Sequence, residues 1–189
     1  MRDATTLDSY VTPRTHAMAL TDIKLVVSDV DGVLTDGTVS ILPDGTEVKH
    51  FNVHDWTGIK YLMRVGLQVA LISGRESPAV THRAHHVGIT EVHQGAKDKL
   101  PILEDVLKRL GLTAAEAAYI GDDLPDIPPA RHAGVSVAVA DAHEELKQRC
   151  DVVTQACGGQ GAVREFAEML LKAQGKWDTI MTRYRETSV

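Results

Sequence analysis

The feature that most constrains the fold is a short apolar run at residues 25–27, which leads to two acidic residues, Asp29 and Asp31, followed by Gly32. An apolar run without polar alternation is typical of a strand buried on both faces of a sheet. In open α/β sheets, ligands bind beyond the carboxyl ends of the strands. We therefore expect both carboxylates to project from the edge where a small ligand binds, and their oxygen atoms suggest magnesium and phosphate.

Strand-like and helix-like segments alternate through the rest of the chain. Short apolar segments predict further strands at residues 68–72, 89–93, 117–120, 135–139 and 152–154. Helical patterning predicts helices at residues 58–66, 78–87, 99–110, 143–149 and 163–172. The alternation predicts an α/β fold with a doubly wound, mostly parallel sheet, and right-handed crossovers would place the carboxyl ends of its strands at one edge.

A turn signal interrupts this alternation after the first strand. Pro43, Asp44 and Gly45 separate two alternating segments, residues 38–41 and 47–51, and predict a β-hairpin inserted after strand 1. The hairpin and one helix nearly fill the chain up to the second strand of the sheet. The spacing therefore leaves no room for a cap domain over the expected site.

Length and composition favour one soluble domain. The chain has 189 residues, which fits the prior of roughly 100–200 residues per domain. No apolar run approaches the roughly 18 residues that a membrane span needs. We assign residues 23–174 to this domain, residues 1–22 to a disordered N-terminal segment without a signal peptide, and residues 175–189 to a C-terminal tail.

The net charge bears on nucleic-acid binding, and the cysteine content bears on the cellular compartment. The formal net charge of −6 argues against nucleic-acid binding, because general binding of that kind depends on a surplus of Lys and Arg. The two cysteines, Cys150 and Cys157, lack metal-ligand spacing and indicate no disulfide framework. Such cysteine usage favours a reducing compartment, so we expect a cytoplasmic protein with no membrane partner.

Polar side chains follow three of the predicted strands and together predict phosphoryl transfer. Asp29, Ser73 and Asp122 each follow a strand, so they should meet at one edge of the sheet. Crowded carboxylates need a hard cation, and Asp29 with Asp122 matches Mg²⁺ with room for a phosphate. Asp29 is suited to attack phosphorus and Asp31 to protonate the leaving alcohol, while Ser73 and Lys99 would stabilise the transferred group.

Four segments in chain order resemble the motifs of the haloacid dehalogenase-like phosphohydrolases. They are DVDGVLT at residues 29–35, SGR at residues 73–75, Lys99, and GDDLPD at residues 121–126. Three further segments resemble one family within that superfamily, the 3-deoxy-D-manno-octulosonate 8-phosphate phosphatases. They are FNVHD at residues 51–55, VAVADAH at residues 137–143 and GGQGAVRE at residues 158–165.

The resemblance implies a role for each residue of the expected catalytic site. It implies that Asp29 is both nucleophile and metal ligand, and that Asp31 is the acid/base and binds Mg²⁺ through its backbone carbonyl. Asp122 would be the third protein ligand, with Asp126 supporting the metal site from behind. Ser73 and Lys99 would hold the phosphate of the substrate.

The same resemblance implies a substrate, a pathway and an assembly. The substrate would be a phosphorylated sugar acid, 3-deoxy-D-manno-octulosonate 8-phosphate, used in lipopolysaccharide biosynthesis. The resemblance also implies residues that contact the sugar acid or close the site over it. In this chain they are Asn52, His54, Asp55, Lys60, Arg75, Arg83, Lys99 and Gln160. The protein would be a homotetramer in which hairpins pack together and the glycine-rich segment near Gly158 reaches a neighbour's site.

The chain departs from the family pattern at four positions near the expected pocket. It has His54, Trp56, Lys60 and Gln160 where the family usually has Arg, Gly, Arg and Arg. Because Arg grips a carboxylate with two parallel hydrogen bonds and Lys does not, these changes predict altered recognition of the sugar acid. A nine-carbon ulosonate 9-phosphate is therefore a rival substrate.

Two further alternatives stay open. The chain could be a non-catalytic oligomerisation module that keeps the fold without turnover, although all the expected catalytic residues are present. Residues 158–161 could form an ordinary loop at the start of a helix instead of a lid.

Overall fold

The computed structural model describes residues 17–185, which contain eight helices and eight strands. The helices are α1 (Ala17–Asp22), α2 (Val53–Arg64), α3 (Pro78–Val87), α4 (Lys99–Leu110), α5 (Ile127–His132), α6 (Glu144–Lys147), α7 (Ala162–Ala173) and α8 (Trp177–Arg185). The strands are β1 (Leu25–Ser28), β2 (Ser40–Ile41), β3 (Glu47–Val48), β4 (Gln68–Ile72), β5 (Glu91–His93), β6 (Ala117–Gly121), β7 (Val135–Ala138) and β8 (Val152–Val153). Two short 3₁₀ turns, Ala114–Glu116 and Leu124–Asp126, flank β6.

Six of these strands form one sheet in the order β5-β4-β1-β6-β7-β8, and every neighbouring pair is parallel. The predicted α/β fold with a parallel sheet is confirmed. Strand β1 lies between β4 and β6, where the strand order reverses, and its last residue, Ser28, pairs with Leu71 and Ile120. A reversal of this kind opens a crevice beyond the strand ends, so Asp29 enters that crevice directly after the last paired residue.

The core lies on both faces of the sheet. Every residue of β1, β6 and β7 is buried, as the uninterrupted apolar runs predict for strands covered on both sides. Helices α2 and α7 pack closely against each other, and α4 packs against α5. The largest wholly buried side chains are Trp56, Tyr119 and Phe166. Burial of a large apolar side chain stabilises the fold by roughly 1.5–3 kcal/mol.

The inserted hairpin has the predicted form. Strands β2 and β3 pair antiparallel, with Ser40 opposite Val48. The turn is held by Asp44, whose Oδ1 accepts a hydrogen bond from the Thr46 N–H at 2.9 Å. Among residues 17–185, the connections between the strands and helices of the sheet contain no additional cap domain.

Each terminal segment contains a helix in the part of the chain that the structure describes. Residues 1–16 of the predicted disordered segment and residues 186–189 of the tail lie outside the described residues. Ala17–Asp22, however, is helical, and the Gln174 side chain joins this region to α7 by donating to the Ile23 carbonyl at 2.8 Å. Within the tail, α8 buries Ile180 completely, because one apolar side of this short helix faces the domain.

Two helices were misjudged from sequence for local reasons. Helix α2 begins at Val53, five residues before the predicted start, because the Asn52 side chain caps it by accepting from the His54 N–H at 2.8 Å. Helix α5 was not predicted because two consecutive prolines follow Ile127. Proline is tolerated in the first turn of a helix, where its missing N–H has no intrahelical partner.

No helix among residues 17–185 combines the length and the apolar character that crossing a bilayer requires. Neither cysteine forms a disulfide within the described part of the chain, and Cys150 is buried. Burial raises the pKa of the Cys150 thiol to about 12. This cysteine therefore behaves as a small apolar core residue.

Candidate active site

The end of β1 delivers Asp29 into the crevice between β1 and β6. The Asp29 N–H continues the strand ladder by donating to the Ile120 carbonyl at 3.0 Å, and its Oδ1 accepts from the Val30 N–H at 2.6 Å. The following loop turns back at Gly32, which has a φ of 86°. A Cβ atom at Gly32 would stand 2.0 Å from Asp122 Oδ2. Glycine at this position therefore allows the loop to come directly against Asp122.

A buried lysine connects the two acidic motifs. Lys99 is the first residue of α4, and its side chain is 5% exposed. Its Nζ lies 2.8 Å from Asp29 Oδ2 and 2.6 Å from Asp126 Oδ1. Burial alone would lower the pKa of Lys99, but the two carboxylates outweigh this effect and raise it. The ammonium group therefore stays charged between them.

Asp126 is wholly buried, and its carboxylate accepts four hydrogen bonds. Its Oδ1 accepts from the Tyr119 hydroxyl at 2.7 Å as well as from Lys99. Its Oδ2 accepts from the backbone N–H of Asp122 at 3.0 Å and of Asp123 at 3.3 Å. These bonds fix the backbone that carries Asp122.

Three carboxylates at this point form a site suited to a hard cation. Oxygen atoms of Asp29, Asp122 and Asp126 lie within 4.8 Å of one another. Burial, reinforced by the charges of Asp29 and Asp126, raises the pKa of Asp122 to about 8. Burial and the charge of Asp126 raise the pKa of Asp29 to about 6 in spite of Lys99. A divalent cation with oxygen ligands would relieve this repulsion.

Seven residues predicted for the site line one cleft of about 310 Å³. They are Asp29, Asp31, Ser73, Arg75, Lys99, Asp122 and Asp126. The side chain of Ser73 is buried at the end of β4, where its hydroxyl accepts from the Arg75 N–H at 3.3 Å. Lys97, Asp123 and Pro125 also line the cleft and were not predicted, although each lies within two residues of a predicted one.

Two further residues of the site come from the hairpin and were missed. Lys49, directly after β3, pairs its ammonium group with the carboxylate of Asp31, and Glu47 pairs with both Lys49 and Arg75. The alternation of side chains along a strand places Glu47 and Lys49 on one face. That alternation was visible in the sequence, but the sequence did not show that this face would meet Asp31.

Six predicted substrate-binding residues do not line this cleft: Asn52, His54, Asp55, Lys60, Arg83 and Gln160. Asn52 is engaged as the cap of α2, while His54, Lys60 and Gln160 are exposed to solvent. Arg83 lies over the ring of Trp56, with its guanidinium carbon 5.2 Å from the ring centroid.

Trp56 does not belong to a pocket, contrary to the interpretation of the four departures from the family pattern. Its side chain is wholly buried and meets Phe51 edge to face at a centroid distance of 5.3 Å. The change from the family's glycine therefore lies in the core, since a large aromatic side chain at this position is covered by neighbouring apolar groups.

Asp55 is also wholly buried, and its carboxylate is occupied by the start of α7. Its Oδ2 accepts from the Gly161 N–H at 3.1 Å and its Oδ1 from the Arg164 N–H at 2.9 Å. An anion here satisfies free N–H groups at the N-terminus of the helix. The placement argues against contact with a substrate.

The glycine-rich segment lies against the loop after β1 of its own chain, and its expected extension to a neighbour's site stays a prediction. The Gly159 N–H donates to the Val33 carbonyl at 2.8 Å, and the Gly158 N–H donates to Asp141 Oδ1 at 2.8 Å. Because neither glycine has a side chain, the two backbones meet directly. The segment is a loop at the start of α7, with only Gln160 exposed among residues 158–161.

A model of the haloacid dehalogenase-like hydrolase family matches residues 55–134. The 3-deoxy-D-manno-octulosonate 8-phosphate phosphatase KdsC of Escherichia coli K12 is 46% identical over 157 residues, which cover 83% of this chain and 84% of that protein. The phosphatase of the same name from Haemophilus influenzae is 45% identical over 157 residues, covering 83% of this chain and 87% of its own.

Solved structures agree with these sequence relatives. The crystal structure of the 3-deoxy-D-manno-octulosonate 8-phosphate phosphatase from Yersinia pestis superposes with a TM-score of 0.84 at 42% identity, covering 86% of this chain and 88% of that one. The phosphatase from Moraxella catarrhalis, in complex with a magnesium ion, a phosphate ion and a KDO molecule, gives a TM-score of 0.88 at 39% identity, covering 90% and 99%.

Proposed function

Since the chain belongs to the 3-deoxy-D-manno-octulosonate 8-phosphate phosphatases, a family of haloacid dehalogenase-like hydrolases, we propose that it removes the phosphate from that sugar acid in lipopolysaccharide biosynthesis. The observation that carries this proposal is the grouping of Asp29, Lys99 and Asp122 beside Asp31 in one cleft. A carboxylate nucleophile, a cation and a proton carrier are the groups that phosphomonoester hydrolysis requires.

Asp29 is proposed as the nucleophile. A carboxylate oxygen of Asp29 forms a bond to phosphorus as the bond from phosphorus to the sugar oxygen breaks, and Asp31 gives its proton to that oxygen. Asp31 then takes a proton from water, which attacks the phosphorus of the aspartyl-phosphate and releases inorganic phosphate with Asp29 regenerated. The hydrogen bond from Val30 and the contact with Lys99 support this role, because they fix the orientation of the carboxylate.

The residues present fit Mg²⁺. The raised pKa values of Asp29 and Asp122 reflect crowded buried carboxylates that need a compensating cation. Asp29, Asp122 and the backbone carbonyl of Asp31 would hold the ion, and Asp126 would fix the loop of Asp122 while paired with Lys99. When bound, Mg²⁺ supplies neutralisation of the charge on the phosphoryl oxygens. Ser73 and Lys99, which line the same cleft, would hold the phosphate.

We further propose that the protein acts as a cytoplasmic homotetramer assembled through the hairpin. Val39, Ile41 and Leu42 present exposed apolar side chains on or beside β2, and Ile41 is 68% exposed. Exposed apolar groups gathered on one short element favour burial against another copy. His54, Lys60 and Gln160, which are exposed outside the cleft of their own chain, would then contact a substrate bound to a neighbouring subunit.

The test is a hydrolysis screen with Asp29→Asn and a matched control. Asp36→Asn changes an exposed acid on the same loop and should keep wild-type activity. Release of phosphate from 3-deoxy-D-manno-octulosonate 8-phosphate should depend on Mg²⁺ and fall by at least about a hundredfold in the Asp29→Asn protein. A nonulosonate 9-phosphate and simple sugar phosphates complete the screen.

Each outcome of the screen decides between named alternatives. Near-normal activity of the Asp29→Asn protein would refute the nucleophile assignment. A preference for the nonulosonate 9-phosphate would identify the nine-carbon sugar acid as the substrate. A folded wild-type protein without Mg²⁺-stimulated hydrolysis of any compound would identify a non-catalytic module.

A further inference from the structure

The carboxylate of Asp31 faces two cations from different parts of the chain. Lys49 Nζ forms an ion pair with Asp31 Oδ1, while Arg75 Nε lies 3.9 Å from Asp31 Oδ2. Glu47 joins the same two cations from the other side: its Oε1 lies 3.0 Å from Lys49 Nζ and its Oε2 lies 2.6 Å from Arg75 Nη2. Two acids and two cations therefore alternate around a closed ring at the edge of the cleft.

Burial separates the two cations of this ring. The side chain of Lys49 is 2% exposed, whereas that of Arg75 is 50% exposed. A buried ammonium group is stable only where carboxylates replace its water, so Lys49 is confined between Asp31 and Glu47. Arg75 is half exposed to solvent and keeps its ion pair with Glu47.

The two oxygens of the Asp31 carboxylate are used differently. Oδ1 bonds to Lys49, while Oδ2 is buried and has no hydrogen-bond partner among residues 17–185. One oxygen is thus fixed by the hairpin and the other is left for a group that enters the cleft. A proton carrier needs this arrangement, because proton transfer depends on holding one oxygen within hydrogen-bond reach of the reacting atom.

We propose that Lys49 is a positioning residue that orients the Asp31 carboxyl group for proton transfer to the leaving sugar oxygen, with Glu47 orienting Lys49. The inference rests on the role proposed above for Asp31. In the step concerned, the proton leaves Asp31 Oδ2 and bonds to the sugar oxygen as the bond from that oxygen to phosphorus breaks. Lys49 transfers no proton and fixes the carboxyl group through Oδ1.

The test compares two leaving groups in Lys49→Met and Glu47→Gln proteins. The sugar oxygen of 3-deoxy-D-manno-octulosonate 8-phosphate is a poor leaving group that needs a proton, whereas the nitrophenolate of p-nitrophenyl phosphate leaves without one. Lys108→Met, the same substitution at an exposed position on α4, is the matched control. The quantity compared is kcat/KM, which covers the steps from free enzyme and substrate up to and including the first irreversible step. It therefore reports the departure of the leaving group.

Loss of positioning should appear for one substrate only. In the Lys49→Met protein, kcat/KM should fall about ten- to a hundredfold for the sugar phosphate and less than about threefold for the nitrophenyl ester. Glu47→Gln should give the same pattern with a smaller loss, and Lys49→Arg should restore part of the activity because it keeps the cation. The Lys108→Met protein should match wild type on both substrates.

Three results would overturn the inference. Equal losses on both substrates would show a general structural role for Lys49, and a rise in the KM of the sugar phosphate at unchanged kcat would make Lys49 a substrate-binding residue. Wild-type kcat/KM values for the Lys49→Met protein would refute the positioning role, and the Glu47→Gln protein decides the question if Lys49→Met fails to fold. Only the positioning role would then be refuted, provided that the Asp31→Asn protein loses activity toward the sugar phosphate and not toward the nitrophenyl ester. If Asp31→Asn shows no such selectivity, the proposed role of Asp31 fails as well.

Discussion

Gly158 lies directly against Gly32: a Cβ atom on Gly158 would stand 1.7 Å from the Gly32 carbonyl oxygen. At the next residue, a Cβ on Gly159 would stand 2.4 Å from the carbonyl carbon of Thr35. The glycine-rich segment therefore supports the back of the loop that follows Asp31. Since no side chain separates the two backbones, the shape of the loop after β1 depends on a segment more than a hundred residues away in the sequence.

Substitution of Gly158 by Ala adds only one methyl group but should reduce activity strongly. The added methyl group requires the two backbones to separate, and overpacking of this kind typically costs about 1–3 kcal/mol. The loop that carries Asp29 and Asp31 would shift, so kcat should fall about tenfold or more. Steady-state kinetics and thermal unfolding measure the two effects. Gln155→Ala, an exposed change in the same connection, should leave both unchanged, and wild-type kcat in the Gly158→Ala protein would contradict the support role.

Much of the fold follows from local sequence patterns. The helix from Lys99 to Leu110 was predicted with correct bounds because its signals are local: apolar residues recur on one side, and Gly111 follows it in the left-handed conformation. The acidic residues of the site were predicted as a group for a similar reason. Each follows an apolar strand, and parallel strands bring their carboxyl ends together.

The remaining features depend on contacts between distant segments. Asp55 has the residue type and the position expected of a substrate ligand, and nothing in its neighbourhood reveals that α7 would occupy its carboxylate. The pairing of Lys49 with Asp31 depends on how the hairpin folds back over the strand end. Sequence patterns identify which residues share a strand or helix face, but the partner of that face is decided by tertiary packing.

Replacement of Asp55 by Ala should destabilise the protein without a specific effect on substrate affinity. The change leaves the N–H groups of Gly161 and Arg164 without their buried acceptor, and loss of such a charged helix cap should cost about 2–4 kcal/mol. Denaturant unfolding measures this cost. Asp178→Ala, at an exposed acid in the first turn of α8, should change stability by less than about 0.5 kcal/mol. A raised KM with unchanged stability in the Asp55→Ala protein would restore the substrate-binding interpretation.

Ile41→Asp should dissociate the proposed tetramer. Burial of a large apolar side chain contributes roughly 1.5–3 kcal/mol, and in a symmetric assembly the loss recurs at each subunit. Sedimentation velocity should therefore show smaller species for this variant than for wild type. Thr46→Asp places the same charge on an exposed polar position of the hairpin and should leave the assembly intact. A monomeric wild-type protein, or an unchanged Ile41→Asp assembly, would exclude the hairpin interface.

The stability of the Mg²⁺-free protein should fall as the pH rises. Burial together with neighbouring acids raises the pKa of Asp29 to about 6 and that of Asp122 to about 8, above the value of about 3.9 for an unfolded Asp. The folded protein therefore binds more protons than the unfolded chain between these values. The stabilisation from those protons is complete below about pH 4 and is lost as the pH passes through about 6 and then about 8.

Added Mg²⁺ should reverse this trend, because the ion needs the deprotonated carboxylates and replaces the protons as the compensating charge. Thermal unfolding in a chelator at about pH 5.5 and about pH 8.5 should show the decline, and the shift in Tm on adding Mg²⁺ should be larger at the higher pH. Asp122→Asn removes the carboxyl group with the higher pKa, so it should flatten the pH dependence and reduce the Mg²⁺ shift. Asp105→Asn, a change at an exposed acid on α4, should retain both. If the Mg²⁺ shift were the same in Asp122→Asn as in wild type, Asp122 would not bind the metal, and the crowding of the three carboxylates would need another explanation.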